Sequence, residues 1–170
     1  MAGVTLEGIF DAHAVPVQRY LYRRLTGWAD PASTADDLTA DVFLIAWQKR
    51  DEIPADAALP WLYAVARRVL ANHRRRRIDI PVEDLGALDA IDESDPAELV
   101  TRDAELADAW RALSPRDREV LRLAAWEGLS GADLATALGI SEGGAAAALS
   151  RARARLSEHL SADVQGTPPA

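Results

Sequence analysis

Between residues 79 and 103 the chain reads DIPVEDLGALDAIDESDPAELVTRD, and no other stretch limits its folding as much. This segment carries nine acidic side chains against one basic, with two prolines and a glycine among them. Self-repulsion and the lack of a sustained apolar period leave it little surface to bury, so it reads as a linker with at most a short helical piece at its end. The rest of the chain then falls into two small units, residues 1–78 and 104–160, and the tail SADVQGTPPA at 161–170 reads as disordered. The linker also accounts for the overall charge. Of the net −8, residues 1–78 contribute +2, residues 79–103 contribute −8 and residues 104–170 contribute −2, so the acidity of the whole does not exclude a nucleic-acid partner.

On both sides of the linker apolar residues recur at spacings of three and four, and no alternating β-branched run appears, which predicts an all-α fold. A first helix spans about 5–26, with Val17, Leu21 and Leu25 on one side, and Gly27 and Pro31 close it. A second runs from about Ser33 to Arg50, opened by Ser33, Asp36 and Asp37, with Phe43, Ala46 and Trp47 as its core face. Pro54 and Pro60 bracket a loop, and Pro60 suits the first position of a third helix ending near Arg77. In the second unit, Ser114-Pro115-Arg116-Asp117 has a capping serine, a proline at the first helical position and a carboxylate three residues after the cap. A short helix begins at Ser130 and stops at Gly139, and Ser141 caps a last one running to about Leu160. Two helices joined by such a turn make a helix-turn-helix.

The chain has no cysteine, which removes disulfides, thiol catalysis and thiolate metal sites. Its N-terminus, MAGVTLEGIFDAH, lacks the basic start and apolar run of a signal peptide, and no apolar stretch approaches the roughly 20 residues that span a bilayer. A cytosolic protein without membrane insertion is expected. His13, His73 and His159 lie in separate segments without ligand spacing, and Asp36, Asp37 and Asp41 are explained by the helix dipole. With no phosphate loop, zinc motif or nucleophile elbow, the sequence predicts neither an enzyme nor a cofactor or metal.

Two stretches can carry recognition. In PWLYAVARRVLANHRRRR, residues 60–77, the apolar stripe is Leu62, Val65, Ala66 and Val69. That leaves Trp61, Tyr63, Arg67, Arg68, Asn72, Arg74 and Arg75 over the remaining surface. Arginines among aromatics suit single-stranded nucleic acid, since cations neutralise phosphates while rings stack on bases. The same residues equally fit a helix end with solvated arginines and packed rings, or a patch for an acidic protein. In the last helix Ala145, Leu149, Ala152 and Leu156 form a buried stripe, and Arg151, Arg153 and Arg155 lie off it.

Taken in order, DDLTADVFLIAWQK, LPWLYAVARRVLANHRRRR, LSPRDREVLRLAAWEGLSGADLATALGISEG and LSRARARL resemble the extracytoplasmic-function (ECF) sigma factors, which direct bacterial RNA polymerase to promoters. The resemblance covers about residues 7–160. It implies two helical domains, a bacterial cytoplasmic setting, core RNA polymerase and promoter DNA as partners, and room for an anti-sigma factor. The second helix would dock on the polymerase clamp through Asp37, Phe43, Trp47 and Gln48. The third helix, with Trp61, Tyr63, Arg67, Arg68, Asn72, Arg74 and Arg75, and the loop 51–59 would hold the opened strand of the minus-ten element. The acidic linker would thread toward the polymerase's basic cleft. The last helix would enter the minus-thirty-five element through Ser141, Glu142, Gly143, Gly144, Ala146, Ala147, Arg151 and Arg155. A sigma-like protein that binds polymerase or a regulator without initiating transcription is the rival reading.

One stretch departs from the family. Where members carry a threonine, an apolar residue, a basic residue, a small polar one and another basic one, this chain has Gly144, Ala145, Ala146, Ala147 and Ala148. Alanine can touch a thymine methyl, but it cannot supply the bidentate hydrogen bonds worth roughly 1 to 3 kcal/mol per base pair. Gly143 and Gly144 each cost a helix about 1 kcal/mol relative to alanine, so a loose first turn is expected.

Overall fold

The computed structural model describes residues 5–78 and 104–165. Within them lie seven α-helices: α1 (Leu6–Arg23), α2 (Pro31–Gln48), α3 (Ala58–Ile78), α4 (Ala104–Ala112), α5 (Pro115–Ala125), α6 (Gly131–Leu138) and α7 (Glu142–Gln165). The stretch assigned to the acidic linker lies outside the described residues.

Helices α1, α2 and α3 pack on one another around Val17, Leu21, Leu25, Val42, Ala46, Leu62 and Ala66, all of them buried. Local chemistry sets the helix starts. Thr5 Oγ1 accepts from the Gly8 amide at 3.2 Å to open α1. At α2 the cap is Asp30, whose carboxylate accepts from the Ser33 amide at 3.1 Å, with Pro31 at the first helical position. The helix thus starts a turn before Ser33, since an Asp-Pro pair places a cap acceptor ahead of a residue whose missing amide costs nothing there. A 3-10 turn at Arg50–Glu52 follows. Pro60 sits third in α3, still inside the first turn, where a missing N–H breaks no helical bond.

In the second unit α7 packs against α4, α5 and α6. The start of α5 has the capping serine that the sequence predicts: Ser114 Oγ accepts from the Asp117 amide at 3.1 Å and donates to the Asp117 carboxylate at 2.8 Å. Gly139 ends α6 with φ 69°, a left-handed conformation that glycine adopts without a Cβ clash. Ser141 Oγ accepts from the Gly144 amide at 3.1 Å, so the first turn of α7 is helical and capped, not loose. The helix runs on to Gln165, five residues beyond the expected end, because no glycine or proline interrupts 161–165.

Three side chains stand elsewhere than the sequence pattern suggests. Trp47 is 59% exposed and no part of the core, which α2 fills with Ala35, Leu38, Thr39, Val42, Phe43 and Ala46. Tyr63, at 2%, and Arg74, at 9%, are buried rather than spread over the outer surface. Tyr63 is drawn in by ring contact with Tyr20, centroids 5.1 Å apart, and Arg74 by donating to the Arg24 carbonyl at 2.7 Å. The two units are also not independent. One continuous apolar cluster joins the core of α1–α3 to Leu123, Leu129, Leu134, Ala135, Ala137 and Ala145, with α3 packed on α6.

Candidate nucleic-acid interface

Of the seven α3 residues expected to carry recognition, four remain reachable: Arg68 and Asn72 are exposed, and Trp61 and Arg75 half-buried. Trp61 packs one edge against the core, and Arg75 donates to the Asn72 side chain at 2.9 Å. Arg67 is half-buried and turned toward the second unit, donating to the carbonyls of Ala137 at 3.3 Å and Leu138 at 3.2 Å. These are the last carbonyls of α6, where the dipole favours a cation. His73 lies beside Trp28, ring centroids 5.4 Å apart, and burial, helped by Arg77 and Arg76, lowers its pKa.

On α7 the side chains divide by helical phase. Ala145, Ala148 and Ala152 are buried, whereas Ser141, Glu142, Gly143, Ala146, Ala147, Arg151 and Arg153 are exposed, with Gly144 between. The bareness of this face is not imposed by crowding, since a Cβ added at Gly143 would meet nothing within 4 Å. At Gly144 a Cβ would stand 3.0 Å from Ser141 Oγ, so the capping serine would have to give way. Arg155 does not extend freely. Its guanidinium donates to Asp117 at 2.6 Å and ties α7 to the cap of α5.

The outer face of α2 carries Asp37, Asp41, Leu44, Trp47 and Gln48, all exposed. Phe43, one of the expected docking residues, is instead 7% exposed and meets Phe10 edge-on at 4.8 Å.

The sequence gives no hint of an ionic cluster where α1 and α3 meet α5 and the turn after it. Arg24, 2% exposed, donates to Glu119 at 3.0 Å and to Glu127 at 3.3 Å, and its guanidinium lies 3.5 Å from the centroid of the Tyr20 ring. Arg23 donates to Glu127 at 2.7 Å, Tyr20 Oη donates to Glu119 at 2.8 Å, and Tyr63 Oη to Glu127 at 3.4 Å. Burial opposes the charges, but each is held by its opposite. Desolvation pushes the Glu119 pKa up, but the charges of Arg24, Arg67 and Arg122 and the hydrogen bond from Arg24 together outweigh it, so the carboxylate stays below its ordinary range. Desolvation likewise works against the Arg24 cation, and Glu119, Tyr20 and Glu127 together reverse the shift. The Tyr63 phenol is pushed up to about 12 by burial and by the Glu127 charge. These pairings join residues 64 to 104 positions apart, and no local spacing announces them.

Helical units presenting an acidic apolar face, a basic aromatic helix and a helix pair joined by a short glycine turn define a protein that binds other macromolecules. Comparison with known proteins makes this specific. Residues 9–78 match the family model for sigma-70 region 2, and residues 103–156 match that for sigma-70 region 4. The chain is 35% identical over 144 residues to the ECF RNA polymerase sigma factor SigL of Mycobacterium tuberculosis, with 81% of this chain and 78% of the relative covered. It is 34% identical over 150 residues to the ECF RNA polymerase sigma factor SigF of Caulobacter vibrioides, covering 86% and 80%. Among solved structures it is similar in fold to the sigma factor RpoE of Bartonella quintana, seen in complex with the anti-sigma factor NepR. That match has a TM-score of 0.55 at 24% identity, over 91% of this chain and 98% of that one. The chain belongs to the ECF family of RNA polymerase sigma factors, and as such it is a regulatory protein of transcription initiation and not an enzyme. No helix among the described residues is long and apolar enough to cross a membrane.

Proposed function

We propose that this sigma factor docks on core RNA polymerase through the outer face of α2, holds the opened minus-ten strand with α3, and places α7 in the minus-thirty-five element while reading little there. The observation that carries the reading is the α2 face. Leu44 and Trp47 are 57% and 59% exposed beside Asp37, Asp41 and Gln48, one stripe at helical spacing. Large apolar side chains clustered in water and rimmed by acids mark a surface meant to be covered by a partner.

On α3, Trp61, Arg68, Asn72 and Arg75 form the reachable strand-holding set, with Tyr63 and Arg67 joining it when the second unit moves away. Arg74 supports this helix from inside. The acidic linker of 79–103 enters the basic cleft of the polymerase. The α6–α7 pair acts as a helix-turn-helix, with Arg151 as its phosphate contact and Ala146 and Ala147 where polar readers would stand. Promoter choice then rests on the minus-ten element or on a helper protein. An anti-sigma factor is a further partner, in line with the complex in which RpoE is seen.

The test is pull-down of core polymerase by the full chain, beside transcription from a library of promoter fragments. Trp47→Ala should weaken polymerase binding at least about thirtyfold, the scale of a buried aromatic anchor, while an exposed site leaves thermal stability unchanged. A parent chain that fails to bind core polymerase sinks the reading. One that binds polymerase yet initiates from no fragment is a sigma-like interaction protein instead.

A further inference from the structure

We infer that the cavity between α3 and α5 is a binding site for a small phosphorylated molecule carrying two or more phosphoryl groups. The cavity measures about 250 Å³ and is lined by Arg67 and Arg74 of α3, Arg116 and Arg122 of α5, and Arg24 just after α1. Five guanidinium groups thus converge there against one carboxylate, Glu119, among the described lining residues. Guanidinium forks match phosphate oxygens bidentately, and cations supplied by two helices suit a ligand with more than one anionic group. The volume lies just under the roughly 300 to 1,000 Å³ of pockets for drug-sized ligands, so the molecule is small. Leu70, Leu138 and Ile140 add an apolar wall against which an uncharged part can rest.

The ionic cluster described above does not use up this charge. Glu119 is held by Arg24 at 3.0 Å, and Arg67 stands 3.9 Å from it, donating instead to the carbonyls of Ala137 and Leu138. Carbonyls satisfy a donor but carry no net charge. Arg116 is exposed and stands outside that cluster. It follows Pro115 at the start of α5, and both line the cavity, so the positive end of that helix adds to the field. Glu119 reports the sign of that field. Desolvation pushes its pKa up, yet the charges of Arg24, Arg67 and Arg122 and the Arg24 hydrogen bond keep the carboxylate below its ordinary range. Glu119 repels an incoming anion, but it is one carboxylate among five guanidinium groups, and the balance favours further negative charge.

Isothermal titration calorimetry of the full chain with pyrophosphate, ATP and orthophosphate tests the site. Pyrophosphate and ATP should each saturate at one per chain and raise the melting temperature with concentration, and orthophosphate should bind at least about tenfold more weakly. Arg116→Gln removes an exposed cation that the ionic cluster does not use. It should weaken pyrophosphate about tenfold, the scale of one charged hydrogen bond, at an unchanged melting temperature of the free protein. Arg67→Gln, on the other helix, should weaken it similarly, so misfolding of one variant leaves the other decisive. Arg153→Gln, an exposed cation of α7 that does not line the cavity, should change nothing. ATP tighter than pyrophosphate makes a nucleotide the ligand and the reverse makes it the free diphosphate; both outcomes support the site. None of these measurements involves polymerase or DNA, so the result is independent of the functional reading above. No saturable binding by the parent overturns the inference, and orthophosphate as tight as pyrophosphate overturns the call for two phosphoryl groups. Binding that Arg116→Gln and Arg67→Gln both leave intact, or that Arg153→Gln weakens as much, follows net charge and not the cavity, and overturns it too.

Discussion

Restoring side chains to the bare face of α7 should turn a weak upstream contact into a measurable one. The positions follow from burial. Ala146 and Ala147 are exposed, one turn before Arg151, whereas Ala148 is 6% exposed and packs inward, so a cation at 148 would disturb the unit instead of reaching DNA. Ala146→Lys with Ala147→Arg costs the helix only a few tenths of a kcal/mol in propensity. If each new cation neutralises one phosphate, the log–log slope of binding against salt steepens by about 1.8, from roughly 0.9 per phosphate. Between about 50 and about 200 mM salt, the variant should then lose affinity about twelvefold more than the parent does. Base contacts alone would add affinity at almost unchanged slope. Fluorescence anisotropy of the full chain on upstream-element fragments, at several salt concentrations, separates these cases. A parent that already binds one upstream sequence tightly and selectively, or a variant that gains nothing on any DNA, refutes the depleted-reader argument and makes α7 a protein-binding helix.

Three further outcomes follow from burial and conformation. Arg74→Ala should lower stability by about 1 to 3 kcal/mol in urea denaturation, since it removes a buried donor from the Arg24 carbonyl at 2.7 Å, whereas Arg75→Ala should leave the midpoint unchanged and weaken DNA binding alone. Gly139→Ala should cost about 1 kcal/mol by the same assay, because its φ of 69° strains any residue with a Cβ. His73 has a folded pKa below the ordinary histidine value, owing to burial and then to Arg77 and Arg76, with Asp41 opposing. Its contribution is therefore present above about pH 6.5 and lost as pH falls through the folded value, so His73→Phe should flatten the stability–pH curve below about pH 6.5.

What was legible in the sequence is what depends on neighbours in the chain. The Ser114–Asp117 cap and the Gly139 stop are contacts within four residues, and the structure has both. Trp47 continues the stripe of Phe43 and Ala46, so the spacing alone puts it in the core, whereas it is 59% exposed. A surface that is apolar for a partner and one that is apolar for the interior share the same residue types, and only the packing of α1 and α3 on α2 tells them apart. Arg74 was readable in principle. It stands one turn beyond Leu70 and two beyond Ala66, both buried, so helical phase alone turns it inward, but a run of four arginines looks uniform in composition. Nothing near Arg24 in the chain points to Glu119 or Glu127, because their meeting depends on how whole units pack.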